Sequence, residues 1–308
     1  MSSNHNIKHQ NTHAIKHGIL LKQKCYLNIT WLFTAFLSCI FICVLIGSLW
    51  LFSSNYNQTN SNAIHTLFSR SWFWRSLWLS ILTATTTTII AVVLGVPTAY
   101  ALSRFHFRGR KIAGTLLDSI LVLPASTVGL TLMVALQYPP VLALQDALGI
   151  RIVHSLTGII LAQLILSLAF GIQAWRAAFA SVNQRYEHVA RSLGSSRIRT
   201  FFTVTLPLAR SGIIAGLVLA WTRALAEFGA VLLVAGTFRM RTINQFSQLS
   251  QWLGINNADA LAVGMWMEIE GGRTEQGVAI AFVMLAVATV CVYLLHHLAN
   301  IKVSRSMI

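Results

Sequence analysis

Residues 185–207 read Arg185-Tyr186-Glu187-His188-Val189-Ala190-Arg191-Ser192-Leu193-Gly194, then Ser195-Ser196 and on to Val204-Thr205-Leu206-Pro207. This basic segment separates two apolar runs, near 153–179 and 211–237. Each run exceeds the roughly 20 residues that cross a hydrocarbon core as helix. A few residues would suffice to join two such spans, yet about 30 are spent here. Residues 185–193 have helical character, Gly194-Ser195-Ser196 supplies a break where positive φ is cheap, and 197–205 resumes before Pro207. The segment therefore predicts helix, turn, helix. Val189, Leu193, Ile198, Phe201, Phe202 and Val204 punctuate the arginines, so the unit offers an apolar, cationic surface to a partner protein. An amphipathic connector lying on anionic lipid would need the same arginines but no fixed spacing from Gly194 to Pro207.

Outward from the loop, the whole chain has a bilayer composition. Hydrophobic residues make up 55% and charged residues 10%, against roughly 25% charged in an ordinary soluble domain. Six spans are predicted, near 31–52, 76–102, 114–136, 153–179, 211–237 and 276–298. The first begins too far in, and lacks a convincing cleavage site, to be a removed signal peptide. The net charge of +15 is sorted by side. Lysines 8, 16, 22 and 24 precede span one, Arg104 to Lys111 separates spans two and three, six arginines surround the fourth loop, and Lys302 and Arg305 follow span six. The opposite side has Arg70, Arg75, Arg151, Arg239, Arg241 and Arg273. This asymmetry predicts both termini in the cytoplasm of a cell membrane and makes nucleic-acid binding unnecessary.

The remaining segments carry weaker signals. Residues 1–30 form a basic tail in which His5, His9, His13 and His17 recur every fourth position; without carboxylate or cysteine ligands beside them, a disordered tail is expected rather than a metal site. Residues 299–308 are read as a second cytoplasmic tail. Cys25, Cys39, Cys43 and Cys291 form no framework. Trp72, Phe73, Trp74 and Trp78 read as interfacial anchors, and 258–267 as a re-entrant or surface helix. The hydroxyls of Thr83 and Thr85 to Thr88 are expected to bond back to their own helix.

The fourth loop resembles that of type I ABC importer permeases, with Glu187 and Ala190 in the Glu-Ala-Ala run, then Gly194, then Leu206-Pro207 after the family's spacing. His188 and Val189 depart from the acidic residue and Ala usual there. The resemblance implies an all-α permease core over 76–298 whose loop 183–210 holds a coupling helix. Glu187, Ala190, Gly194, Leu206 and Pro207 would then couple the chain to an ATPase. Arg223-Ala224-Leu225-Ala226-Glu227-Phe228-Gly229-Ala230 in span five is similar to the molybdate, tungstate and sulfate permeases, and Leu123-Pro124-Ala125-Ser126-Thr127-Val128-Gly129 matches the molybdate group more weakly. Arg223 and Glu227, four residues apart, are expected on one helical face, as an ion pair that packs helices or serves the anion path. Ser126 and Thr127 are candidate path-lining residues.

The resemblance thus implies a permease subunit of an ATP-driven importer for a tetrahedral oxyanion, first molybdate, alternatively tungstate, sulfate or thiosulfate. The implied partners are two ATPase subunits, a second permease copy or sister subunit, an extracytoplasmic oxyanion-binding protein and lipid. No Walker A pattern occurs, so ATP and Mg would be bound by the ATPase, and no cofactor, metal or catalytic residue is expected in this chain. A secondary transporter would place isolated acids or broken helices at mid-membrane, with Asp118 the one candidate. An intramembrane enzyme finds no motif.

Overall fold

The computed structural model describes residues 67–150, 152–236 and 259–304, with side chains to residue 293. The tail 1–30, the span 31–52, Cys25, Cys39, Cys43, Arg151, Arg239 and Arg241 lie outside the described residues. Those described form helices and connections without a strand. In chain order these are α1 (Ser71–Arg104), α2 (Arg110–Val122), α3 (Ala125–Leu136), α4 (Pro139–Ala147) and α5 (Leu156–Ser181). There follow α6 (Gln184–Ser192), α7 (Arg197–Leu208), α8 (Arg210–Leu225), α9 (Gly229–Ala235), α10 (Leu261–Glu270) and α11 (Thr274–Ser304).

Among the described residues, three helices are long and apolar enough to cross a membrane unbroken: α1, α5 and Thr274–Tyr293 of α11. Spans three and five are not the continuous helices that hydropathy predicts. Span three breaks at Leu123-Pro124, and α2 and α3 meet at 115°. At 1.5 Å per residue each is about 20 Å long, too short to cross a core of about 30 Å alone. Pro124 has no N–H to continue the ladder and disfavours helix at Leu123, whose ψ of 139° is extended. Span five stops at Leu225 and restarts at Gly229. The α7 and α8 helices meet at 78°; with Arg197 and Arg199 on α7, it reads as loop rather than span.

The centre of the bundle is the packing of α5 against α1 and α8. Its largest buried side chain, Trp175, is fully enclosed. A Cβ at Gly95 of α1 would lie 2.3 Å from the indole, and one at Gly216 of α8 would lie 2.4 Å from it. The two neighbouring helices thus make room for one ring by omitting side chains, as membrane helix contacts commonly do. The indole N–H donates to the Ile213 carbonyl at 3.0 Å, so the ring is not left with an orphan donor.

Higher in the same interface, Thr87 donates to the Gln163 amide oxygen at 3.1 Å, while the Gln163 NH2 donates to Thr83 at 3.3 Å. Thr83, Thr85, Thr86 and Thr88 also bond back to their own helix, as expected. Thr87 is the exception, a cross-helix tie.

The helix predicted in 258–267 is α10. Its first turn is buried, with the Leu261 N–H donating to Ser80 Oγ at 2.6 Å, so it is not a surface helix. Its buried Glu268 binds Arg273 in the turn to α11, and that hydrogen bond and charge hold the guanidinium protonated even more firmly than usual. The α11 backbone runs to Ser304, beyond the predicted end of the span at 298.

Candidate functional site

Two clusters gather the residues that the sequence singles out. The first is the loop after α5. Asn183 starts α6 by accepting from the Arg185 N–H, and Ser196 starts α7 by accepting from the Arg199 N–H. Between them α6 ends as the sequence predicts. Gly194 has φ 89°, and the Ser195 N–H reaches back to the Ala190 carbonyl at 3.1 Å. Around Phe201–Thr205 the chain widens into one π-helical turn, in which the Leu206 N–H bonds the Phe201 carbonyl.

Glu187 is the hub of this loop and is buried. Its Oε1 lies 2.9 Å from Arg104 Nε, an ion pair whose side chains are 6% and 10% exposed, and accepts from Thr205 Oγ1 at 3.0 Å. Its Oε2 accepts from the Tyr100 hydroxyl at 3.3 Å. Arg104 also donates to the Val182 carbonyl at 2.7 Å, which closes the end of α5. Rings of Tyr100, Phe179 and Phe201 pack edge to face beneath, with centroids 5.4 Å and 4.8 Å from Tyr100. One carboxylate therefore ties α6 to the last turns of α1 and to the π-helical turn of α7. Glu187 came from its motif; its partners Tyr100, Arg104 and Thr205 have no spacing signal, because they meet it only across the fold.

The opposite side of the loop is bare. Leu193, Ile198, Phe202 and Val189 are 82%, 74%, 60% and 59% exposed. Gly194 and Pro207 are exposed, and Ala190 and Leu206 half-buried. His188 and Val189, the two departures from the family pattern, point outward, with His188 Nδ1 2.8 Å from Arg191 Nη2.

The second cluster is formed by the breaks of spans three and five, which cross. A Cβ at Gly129 would lie 2.5 Å from Ala230 Cα, and one at Gly229 would lie 3.1 Å from the Ser126 nitrogen. The two motif runs that the sequence shows separately are thus in direct contact, and Ser126 and Thr127 remain exposed beside them. Arg223 and Glu227 do pair, Nη1 to Oε2 at 2.6 Å, but not along one helix as expected: α8 ends between them. Glu227 Oε1 instead accepts from the Ala230 N–H at 2.8 Å and so opens α9. The Glu227 side chain is buried while that of Arg223 is 24% exposed, its guanidinium 5.5 Å over the Phe170 ring. His154, at φ 57°, closes the other end of α9: its N–H donates to the Val234 carbonyl at 3.0 Å and its Nδ1 lies 3.1 Å from the Ala235 carbonyl. Nothing in the sequence pattern marks His154.

Asp118, the isolated acid of the sequence reading, is paired with Arg176 at 3.4 Å. Among the described residues, no group of three or more His, Cys, Asp or Glu side chains could hold a metal.

A family model of binding-protein-dependent transport system inner membrane components matches residues 91–305. A molybdate/tungstate transport system permease protein of Pyrococcus abyssi is 40% identical over 156 residues, 51% of this chain and 58% of that protein. The chain thus spans little more than half the length of that relative. A probable molybdenum ABC transporter permease protein of Haloferax volcanii is 34% identical over 221 residues, 72% of this chain and 74% of that protein. Among solved structures, a chain of a bacterial alginate ABC transporter in complex with an alginate pentasaccharide-bound periplasmic protein aligns with TM-score 0.65 and 17% identity, covering 87% of this chain and 94% of that one. That likeness is one of fold alone.

Proposed function

Since this chain belongs to the family of binding-protein-dependent transport system inner membrane components, we propose that it is the membrane-spanning permease subunit of an ATP-driven oxyanion importer. Molybdate is the first cargo, with tungstate and sulfate or thiosulfate as alternatives. The cargo assignment is supported by relatives named as molybdate/tungstate and molybdenum permeases, and by a relative named as a probable sulfate permease.

The observation that carries the coupling role is the two-sidedness of the loop. Glu187 anchors it inward through Arg104, Tyr100 and Thr205, while Leu193, Ile198 and Phe202 face outward. A rigid base with an exposed apolar face can transmit a push, which a loose connector cannot. In this reading Glu187, Ala190, Gly194, Leu206 and Pro207 shape the coupling element, and two ATPase subunits supply ATP and Mg. A second copy of the chain, or a sister subunit, completes the path past Ser126, Thr127 and Arg223. An extracytoplasmic binding protein delivers the anion. Six spans with both termini cytoplasmic fit the lysine and arginine asymmetry.

The broken spans are the one observation that favours a gradient-driven secondary transporter. Against it, Asp118 and Glu227 are each paired with an arginine rather than isolated. Reconstitution with the cognate ATPase and binding protein separates the readings. ATP hydrolysis and uptake should rise with molybdate or tungstate. Uptake that proceeds without ATP, or stimulation only by an amine, sugar or cation, would overturn the proposal.

A further inference from the structure

The exposed face of α5 has a strip at Gln173 and Ala177 that takes no part in the loop or in the crossing of the broken spans. Gln173 and Ala177 are exposed in a helix whose opposite face buries Trp175, Ala178 and Phe179. On one flank Arg176 reaches across to Asp118 of α2, with side-chain exposures of 33% and 49%. On the other, Arg223 of α8 lies over Phe170 of α5. From Phe170 to Arg176 is about 9 Å along the helix axis. Charged groups and an amide turned toward hydrocarbon are strongly unfavourable, so a strip of this composition belongs beside water.

We propose that this strip, with Gln173 on its floor and the Arg223 and Arg176 guanidinium groups on its flanks, is the part of the path by which a doubly charged tetrahedral oxyanion leaves the crossing of the broken spans toward the coupling loop. The proposal rests on the permease reading above. The electrostatics fit transit rather than storage. Glu227 is buried behind Arg223, leaving the cation outward. Asp118 is more exposed than Arg176 and competes with the anion for it, which keeps binding weak enough for release.

The test uses the whole transporter in proteoliposomes, with Cys25, Cys39, Cys43 and Cys291 replaced by Ser and either Gln173→Cys or Ala177→Cys added. Small anionic and cationic methanethiosulfonates serve as probes, their rates normalised to a free thiol. Both positions should react, the anionic reagent about tenfold faster, as focusing by a cationic cleft produces. Molybdate should slow the reaction, Arg176→Gln should shrink the preference for the anionic reagent, and Asp118→Asn should enlarge it. If neither position reacts, or the cationic reagent is equal or faster at both, the strip is not an anion path. ATP-driven molybdate uptake by the cysteine-free parent, measured alongside, isolates the failure. Normal uptake with an unreactive strip sinks this proposal alone, whereas anion-selective labelling without uptake of any oxyanion sinks the cargo assignment.

Discussion

The Glu187 carboxylate lies 2.9 Å from the Arg104 guanidinium, across the joint between the loop after α5 and the end of α1. An acidic residue on a loop between two spans would ordinarily face water or a partner. Here it faces inward, and its neighbours Thr205 and Tyr100 complete its hydrogen bonding. In the proposed function, the contact surface offered to an ATPase is the apolar side of the loop.

Removing one member of this buried pair strands the other. Glu187→Ala or Arg104→Ala should each cost about 3–5 kcal/mol, read as a lower unfolding temperature in detergent. Glu187→Gln should cost less, because its amide oxygen can still accept from Thr205. Unfolding of Glu187→Ala at the parent temperature would show that the pair does not hold the loop.

Gly194 is required by its backbone, not by space: φ is 89° and a Cβ there would meet nothing within 4 Å. Gly194→Ala should cost about 1–2 kcal/mol, the strain of a left-handed L-residue, and Gly194→Asn less. Gly194→Pro cannot adopt this φ and also loses the N–H bond to the Arg191 carbonyl. It should abolish retention of the ATPase subunit on affinity purification, while the permease itself stays in the membrane fraction.

Leu193→Ser, Ile198→Ser and Phe202→Ser should weaken ATPase retention without moving the unfolding temperature, since each side chain is more than half exposed. Phe201→Ser should behave differently. Its ring packs 4.8 Å from that of Tyr100, so stability should fall as well. Equal behaviour of Phe201 and Phe202 would contradict the two-sided loop.

The room made for Trp175 predicts a rescue. Gly216→Ala and Gly95→Ala force a methyl into the indole and should each cost about 1–3 kcal/mol by overpacking. Trp175→Leu alone opens a cavity and loses its hydrogen bond, yet combined with Gly216→Ala it should be less harmful than the two effects added. Additive losses in a double-mutant cycle would count against a shared socket.

Glu227 combines two contacts that substitution separates. Glu227→Gln keeps an oxygen for the Ala230 N–H but gives up the ion pair with Arg223, so transport should change more than stability. Glu227→Ala loses both and should be destabilised as well. Uptake kinetics and thermal unfolding on the same preparations distinguish them.

Much of the loop was legible residue by residue. The Gly194 break, the helices on either side and the exposed apolar positions follow from local conformational preference and periodicity, which act over a few neighbours. The partners of Glu187 were not legible, because Tyr100 and Arg104 precede it by more than 80 residues and have ordinary neighbours. Nor was the contact between Gly129 and Ala230, which depends on two helix breaks meeting.

That the solvent is a bilayer, which stretches are apolar enough to enter it, and where the long basic loop between two spans lies can all be read from the chain before it folds, because these are sums over adjacent residues. Tertiary structure alone decided that Glu187 turns inward to Arg104, that spans three and five are broken and cross, and that Gly95 and Gly216 make room for Trp175. Hydropathy registers how much apolar surface a segment carries but not its direction. A short helix that turns back inside protein and one that runs straight through satisfy the same backbone hydrogen bonds.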